Sequence, residues 1–373
     1  MSIHLFKHNQ QAYRAVTAML EKEKMAAVIH PTGTGKSLIA FKLAEENPSK
    51  HFLWLSPSEY IYQTQLEKLN MKFPNIQFMS YSRLMKNEDS IETLHPDYII
   101  LDEFHRCGAQ EWGKSVRKLL DTYPNAKRLG LSATNIRYLD NQRNMAEEIF
   151  DGKIASEMTL GEAIVREILP EPKYVIAMYS YQKELEQLKK RIRTLSNQGL
   201  ITENQKLLEQ LRRALEHADG LELVFKKHMT KKNGKYIIFC SDKEHMDEMK
   251  EQVSTWFRQV DPSPHVYTAF YSDAATGREF TAFKKDDSKH LKLLFCIDML
   301  NEGIHVDDVD GVILLRPTVS PIIYLQQIGR ALSAGSEKTP VIFDLVNNFD
   351  SLYCIDCLKN EMQEAFLLYP DTH

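Results

Sequence analysis

The stretch His30-Pro31-Thr32-Gly33-Thr34-Gly35-Lys36-Ser37 lies between an apolar run, Met25 to Ile29, and the segment Leu38-Ile39-Ala40-Phe41-Lys42-Leu43-Ala44. The apolar run has the length and composition of a buried parallel strand, and the later segment reads as a helix. Between a strand and a helix, a Gly-Lys-Ser turn becomes a phosphate cradle. Glycines let backbone N–H groups turn inward toward anionic oxygens, and the helix N-terminus adds a favourable dipole. On this reading Thr32, Gly33, Thr34 and Gly35 supply the loop, Lys36 reaches the β- and γ-phosphates, and the Ser37 hydroxyl ligates Mg²⁺. His30 stands where the G-x-x-x-x-G-K-[ST] pattern has its first glycine. A glycine-rich turn with no ligand would carry the same letters; the flanking strand and helix favour the phosphate.

A chain of 373 residues is too long for one ordinary core and suggests two domains. Its 43% hydrophobic and 26% charged residues are those of a globular protein. No run of about 18 apolar residues occurs, and Met1-Ser2-Ile3-His4 opens no basic-then-apolar signal pattern. The five cysteines are scattered, which suits a reducing compartment, so a cytoplasmic location is expected. Cys354 and Cys357 form a lone C-x-x-C, a weak metal signal read more simply as one helical face. The net charge of −4 gives no whole-molecule attraction to nucleic acid, so any such binding must be local.

Upstream of the turn, a helix is expected through Leu20, and an amide at Gln10 or Gln11 could read an adenine edge, having both donor and acceptor. Downstream, strands are expected at His51–Leu55, Ile76–Tyr81, Asp97–Leu101 and Ala126–Leu131, with a helix from Tyr60 to Leu69. The fourth strand runs into Asp102-Glu103-Phe104-His105. Two acids at the end of a buried strand are costly unless they serve chemistry. Asp102 is placed to hold Mg²⁺, and Glu103 to orient and deprotonate a water. Ser132-Ala133-Thr134 closes the fifth strand; such hydroxyls often only cap a helix, but here they could couple to the acids.

From Gly161 the character changes, and Ile168-Leu169-Pro170-Glu171-Pro172 reads as an interdomain crossing. Leucines and isoleucines from Leu185 to Leu215, interrupted at Asn197-Gln198-Gly199, predict an antiparallel helical hairpin over about 181–218. Lys226-Lys227-His228 and Lys231-Lys232 form a basic run that a solvated loop explains as well as a phosphate contact does. Further strands are expected at Lys173–Tyr179, Lys235–Cys240, His265–Tyr271, Leu291–Ile297, Gly311–Leu315 and Val341–Leu345, with helices between most of them. Strand–helix alternation occurring twice implies two α/β domains with parallel sheets, and a ligand cleft between them.

Taken in order, these segments resemble the motifs of superfamily-2 helicases of the DExH type. Pro31 to Ser37, Asp102-Glu103-Phe104-His105 and Leu131-Ser132-Ala133-Thr134 are similar to motifs I, II and III. Asp298 to Ile304 resembles motif V, and Tyr324-Leu325-Gln326-Gln327-Ile328-Gly329-Arg330-Ala331-Leu332 resembles motif VI. The group resembled is the DEAD/DEAH-box set that includes the motors of type III restriction enzymes. The resemblance implies two tandem RecA-like domains, over 1–158 and 159–373, with ATP and Mg²⁺ between them. It implies catalytic roles for Lys36, Asp102 and Glu103, and an arginine finger, Arg330, reaching across from the second domain. It implies coupling through His105, Ser132, Thr134 and Gln326. It also implies nucleic-acid contacts at Pro57, Ser58, Tyr81, Ser82, Ser241, Ser272 and Asn301, with DNA expected ahead of RNA and a nuclease or methyltransferase as a possible partner protein. Three positions depart from the family pattern: Gln327 and Ser333 where arginines are usual, and His305 where motif V often has an acid. The expected function is an ATP-driven helicase or translocase. The alternative is an ATP-gated nucleic-acid-binding or signalling module, which Ser333 keeps open.

Overall fold

A computed structural model of the chain describes residues 2–57, 66, 69–108, 112–137, 143–176, 220–229, 231–269, 276–297, 309–316, 324, 327–329, 331–336, 338–346 and 353–369. The expected helical hairpin, motif V and most of the helix expected from Tyr60 to Leu69 lie outside them. The strands in chain order are β1 (Met25–Ile29), β2 (Phe52–Ser56), β3 (Ile76–Ser80), β4 (Tyr98–Asp102), β5 (Lys127–Ser132), β6 (Ile136–Arg137), β7 (Arg143–Asn144), β8 (Ile154–Glu157), β9 (Lys173–Ile176), β10 (Lys235–Phe239), β11 (His265–Ala269), β12 (Lys292–Cys296), β13 (Gly311–Leu314) and β14 (Val341–Asp344).

Two six-stranded sheets result, in the orders β3-β2-β4-β5-β1-β8 and β11-β12-β10-β13-β14-β9, together with a small β6-β7 ribbon. Every pairing within the two large sheets is parallel. The sequence requires this, because a strand covered on both faces must be apolar at every position. In β1, Ala27 and Ile29 join the core on one face of the sheet, and Ala26 and Val28 join the core on the other. In β10, Ile237 and Phe239 face one core and Tyr236 and Ile238 the other. Each fully buried Val, Ile or Phe side chain of this kind contributes about 1.5–3 kcal/mol.

Where the residues are described, the expected strands differ from the observed ones by at most one residue at their ends, the expected ends at Tyr179 and Tyr271 lying outside the described residues, and a helix spans Tyr353–Leu368. β8 is an element the sequence reading lacks. Ile154-Ala155-Ser156-Glu157 is short and only half-buried, and it becomes a strand by pairing with the edge of β1. The chain changes sheets between β8 and β9. The helix Leu160–Val165 already belongs to the second core, where Leu160, Ala163 and Ile164 pack with residues of β10 and β13.

Register sets the site. Ile29 pairs with Ser132, and Asp102 pairs with Leu131. The C-terminal ends of β1, β5 and β4 are therefore level, and the loops that follow them open on one edge of the sheet. In open parallel sheets, ligands bind outside this edge.

Candidate nucleotide site between the two sheets

The helix Lys36–Glu46 starts on Gly35, whose φ is 78°, and Gly33 has φ 89°. These left-handed residues curl the loop. Thr34, fully buried, closes it from inside by donating from Oγ1 to Pro31 O at 2.8 Å. Lys36 is 8% exposed, and its Nζ donates to His30 O at 2.8 Å and Pro31 O at 3.2 Å. The ammonium is thus held within the turn.

The loop is braced from the N-terminal helix Lys7–Lys22. His8 Nε2 donates to Thr34 O at 2.8 Å, and Asn9 Nδ2 to Thr34 O at 2.8 Å and Gly35 O at 3.2 Å. The sequence reading singles out neither residue, though the signal is present. Asn9, Ala12, Val16 and Leu20 share the buried helical face, so Asn9 points inward. Gln10 is exposed and donates from Nε2 to Leu5 O at 3.0 Å. Phe6, 41% exposed, stacks on His8 with centroids 5.7 Å apart.

His30 is explained by its surroundings. Its Nε2 shares a 2.8 Å hydrogen bond with Ser156 Oγ on β8, so the imidazole ties the start of the loop to the edge strand. Its Nδ1 is buried with no partner. Burial first, then the Lys36 charge, lowers its pKa to about 3, so the ring is neutral.

At the end of β4, Asp102 is 5% exposed. Burial first, and then the Glu103 charge, raises its carboxyl above the usual range, while Lys36 opposes the shift. Glu103 is 9% exposed and has φ 52°, a conformation that costs a residue with a Cβ about 1–2 kcal/mol. The chain then turns into the 3₁₀ helix Phe104–Gly108, with Arg106 N donating to Glu103 O at 3.0 Å. Phe104 anchors the turn edge-on against Phe150, with centroids 5.1 Å apart. Gly130 on β5 makes room for both rings: a Cβ there would lie 2.4 Å from Phe150 and 2.9 Å from Phe104.

His105 Nδ1 lies 2.8 Å from Ser132 Oγ and 3.4 Å from Glu103 Oε2, and Thr134 N donates to Ser132 Oγ at 3.3 Å. The four residues form a polar chain from the end of β4 to the end of β5. The donor set suits a hydrated magnesium ion, which takes one or two carboxylates and keeps waters and phosphate oxygens as its other ligands. A carboxylate whose ionisation is opposed by a second acid is the group such a cation would relieve. Among the described residues no cluster of three or more His, Cys, Asp or Glu is placed to hold a metal ion.

The second half of the chain reaches this loop. Ala334 N donates to Gly33 O at 2.9 Å, and a Cβ on Gly33 would lie 2.1 Å from Leu332 O and 3.4 Å from Leu169 Cδ2. The Phe6 ring is 3.5 Å from the Cβ position of Gly35 and 3.4 Å from that of Gly335. The segment after Arg330 is therefore seated on the loop. Arg330 and Gln326 themselves lie outside the described residues.

The expected nucleic-acid contacts fare unevenly. The Tyr81 side chain is 1% exposed and its hydroxyl donates to Asp102 O at 2.8 Å, so the ring lies beneath the acids. Pro57 is also buried, at the end of β2. Ser82 is half-buried, and its Oγ lies 3.3 Å from Ser80 Oγ. Ser241 is exposed, with Oγ 2.7 Å from His245 Nδ1. Ser58, Ser272 and Asn301 lie outside the described residues. The basic run at Lys226-Lys227-His228 forms the last turn of the helix Leu221–His228, where cations complement the dipole, and Lys231 pairs with Asp310 at 3.1 Å. Among the described residues no helix is long and apolar enough to cross a membrane.

Two parallel sheets, a glycine-lysine-serine loop after β1 and an acid pair after β4 define a P-loop protein of two tandem RecA-like domains. Family models agree. The type III restriction enzyme res subunit matches residues 2–77 and 64–137, and the helicase conserved C-terminal domain matches residues 213–335. The chain belongs to the superfamily-2 helicases, in the group related to the motors of type III restriction enzymes. A curated relative, a 51.5 kDa protein of a Lactococcus phage (isolate 7-9), is 23% identical over 333 residues, covering 86% of this chain and 65% of its own length. The chain thus spans just under two thirds of that relative. The ATP-dependent Type ISP restriction-modification enzyme LlaBIII bound to DNA is similar in fold at TM-score 0.61 and 17% identity, over 97% of this chain and 30% of that one. The Escherichia coli DEAH/RHA helicase HrpB is similar at TM-score 0.59 and 13% identity, over 93% of this chain and 43% of that one.

Proposed function

We propose that the chain is an ATP-hydrolysing motor that moves along or opens nucleic acid, with the nucleotide held between the two domains, 1–158 and 159–373. The observation that carries the reading is the contact of Leu332 and Ala334 with Gly33: the segment following Arg330 meets the phosphate loop itself. The loop N–H groups of Thr32 to Ser37 cradle the phosphates, and Lys36 neutralises them. Ser37 and Asp102 hold Mg²⁺, which supplies charge neutralisation across the phosphate oxygens. Glu103 orients the attacking water and accepts its proton. The polar chain through His105, Ser132 and Thr134 ties that carboxylate to β5, giving it a route to the second domain. Arg330 enters as the finger cation, a role that contributes ~10³–10⁵ in rate where it has been measured. Gln10, exposed one turn from the Phe6 ring, reads the base edge.

Hydrolysis in this scheme requires the domains to meet, so nucleotide binding favours closure and product release permits opening, the two strokes of a stepping device. The nucleic acid lies across both domains, with Ser82 and Ser241 among its contacts. DNA is favoured over RNA by the DNA-bound Type ISP relative. A nuclease or methyltransferase is the kind of partner protein that such a motor would serve.

The test is ATP turnover with no nucleic acid, single-stranded DNA, double-stranded DNA or RNA. Stimulation by one of these is expected. Its affinity should fall with salt on a log–log slope of roughly −0.7 per phosphate contact on single strands. Turnover at one unchanging rate in all four conditions would leave the ATP-gated binding module as the better reading.

A further inference from the structure

The motif position of Tyr81 puts it on the nucleic-acid face, and the structure places it under the catalytic turn. It opens the short helix Tyr81–Lys86, which follows β3 and is capped by Ser80, whose Oγ accepts from Arg83 N at 3.2 Å. The helix has two sides. Tyr81 and Leu84 are buried, while Arg83 and Lys86 are exposed and Ser82 is half-exposed. The Tyr81 ring stacks on Trp112 with centroids 5.7 Å apart and planes 17° apart. Its hydroxyl donates to the backbone carbonyl of Asp102 at 2.8 Å. That carbonyl belongs to the peptide leading into Glu103, the residue held at φ 52°. A strained residue persists only where its surroundings over-determine it, and such residues cluster where the strain serves the site. Here the constraints are Tyr81 on one side of Glu103 and the Arg106 N–H, donating to Glu103 O at 3.0 Å, on the other.

We propose that Tyr81 is a positioning residue: its hydroxyl fixes the Asp102–Glu103 peptide to the helix that carries Ser82, Arg83 and Lys86 outward, so that phosphate-backbone occupancy of this helix is read at the water-orienting carboxylate. The inference rests on the motor reading above. The phenol suits this role because burial, followed by the neighbouring Cys107, keeps it protonated and therefore always a donor. The helix is also short and rigidly tied. A small displacement of its outer face moves the buried hydroxyl with it, since the ring is fully buried and held by the Trp112 stack.

The experiment uses the full chain with Tyr81→Phe, which keeps the ring and the Trp112 stack and removes only the hydroxyl, with its bond to Asp102 O and its contact with Cys107. ATP affinity by fluorescent nucleotide and the thermal midpoint are measured beside kcat and KM, with and without a single-stranded oligonucleotide. Loss of one neutral hydrogen bond predicts kcat about 5-fold lower, KM and nucleotide affinity within about 2-fold of wild type, and most of the oligonucleotide stimulation lost. A merely structural role would lower the thermal midpoint and leave the stimulation ratio intact, and that result would overturn the proposal. A second variant covers the case in which Tyr81→Phe folds poorly. Arg83→Ala with Lys86→Ala should lose stimulation at an oligonucleotide concentration that saturates the wild type; full stimulation there would also overturn it. Failure of the motor reading is distinguishable, because then the wild type itself shows no stimulated turnover.

Discussion

Gly33→Ala tests the contact on which the two-domain site depends. An alanine Cβ would lie 2.1 Å from Leu332 O and 3.0 Å from the Leu332 carbonyl carbon. Comfortable non-bonded separation is about 3.5 Å, so the two segments must part by more than about 1 Å. That lengthens the 2.9 Å bond from Ala334 N to Gly33 O beyond hydrogen-bonding range. The lost bond, worth about 0.5–1.5 kcal/mol, and the disturbed packing around buried Leu332 together weaken closure by about 1–3 kcal/mol, or ~5–150-fold in the closed population. A separate cost of about 1–2 kcal/mol comes from placing a Cβ at φ 89°. It is present whether the domains are open or closed, and it lowers the thermal midpoint by about 2–4 °C per kcal/mol in a domain of this size. Steady-state turnover, fluorescent-nucleotide affinity and thermal melting separate the two. The expectation is kcat reduced ~5–150-fold, with nucleotide affinity affected less and a small loss of midpoint. A folded Gly33→Ala protein with kcat within about twofold of wild type would refute the claim that hydrolysis needs this contact.

Other perturbations address single residues. Lys36→Ala removes the ammonium from the loop and should abolish nucleotide binding or turnover; Glu103→Gln should keep nucleotide binding and stop turnover, and a Glu103→Gln protein hydrolysing at the wild-type rate would sink the assignment of the acid pair. Because the folded-state pKa of His30 is lowered from 6.5 to about 3, the unfolded chain binds more protons between those values. The contribution of His30 to stability is therefore complete above about pH 6.5 and declines as pH falls toward 3, with a slope of at most about 1.4 kcal/mol per pH unit. His30→Gln should flatten chemical-denaturation stability across that window; an unchanged pH dependence would mean the imidazole is not held neutral.

Much of the site is legible because its chemistry is local. Gly33, Gly35, Lys36 and Ser37 are consecutive or nearly so, and a strand before them with a helix after them fixes how a loop of that composition must turn. Asp102 and Glu103 stand out as two acids directly after four apolar residues of β4. The alternation of strands and helices specifies parallel sheets, because a strand apolar at every position must be covered on both faces.

What is not legible depends on partners far away in sequence. Ile154 to Glu157 has no strong strand pattern, and the exposed edge of β1 makes it a strand. His30 looks like a lost glycine; Ser156, contributed by that same strand, shows it to be a strut. Asn9 and Gln10 carry the same amide chemistry, and only the orientation of the helix on the sheet decides that Asn9 braces the loop while Gln10 faces outward. Tyr81 belongs to the surface by its motif position, yet packing turns it inward onto Asp102. By itself, then, the sequence determined two parallel α/β domains, a phosphate loop and an acid pair, since these follow from the composition and order of adjacent residues. The tertiary structure alone decided that the segment after Arg330 is seated on Gly33 and that Tyr81 lies beneath Glu103. Close approach between residues distant along the chain is set by how the sheets and helices pack, and no local pattern encodes it.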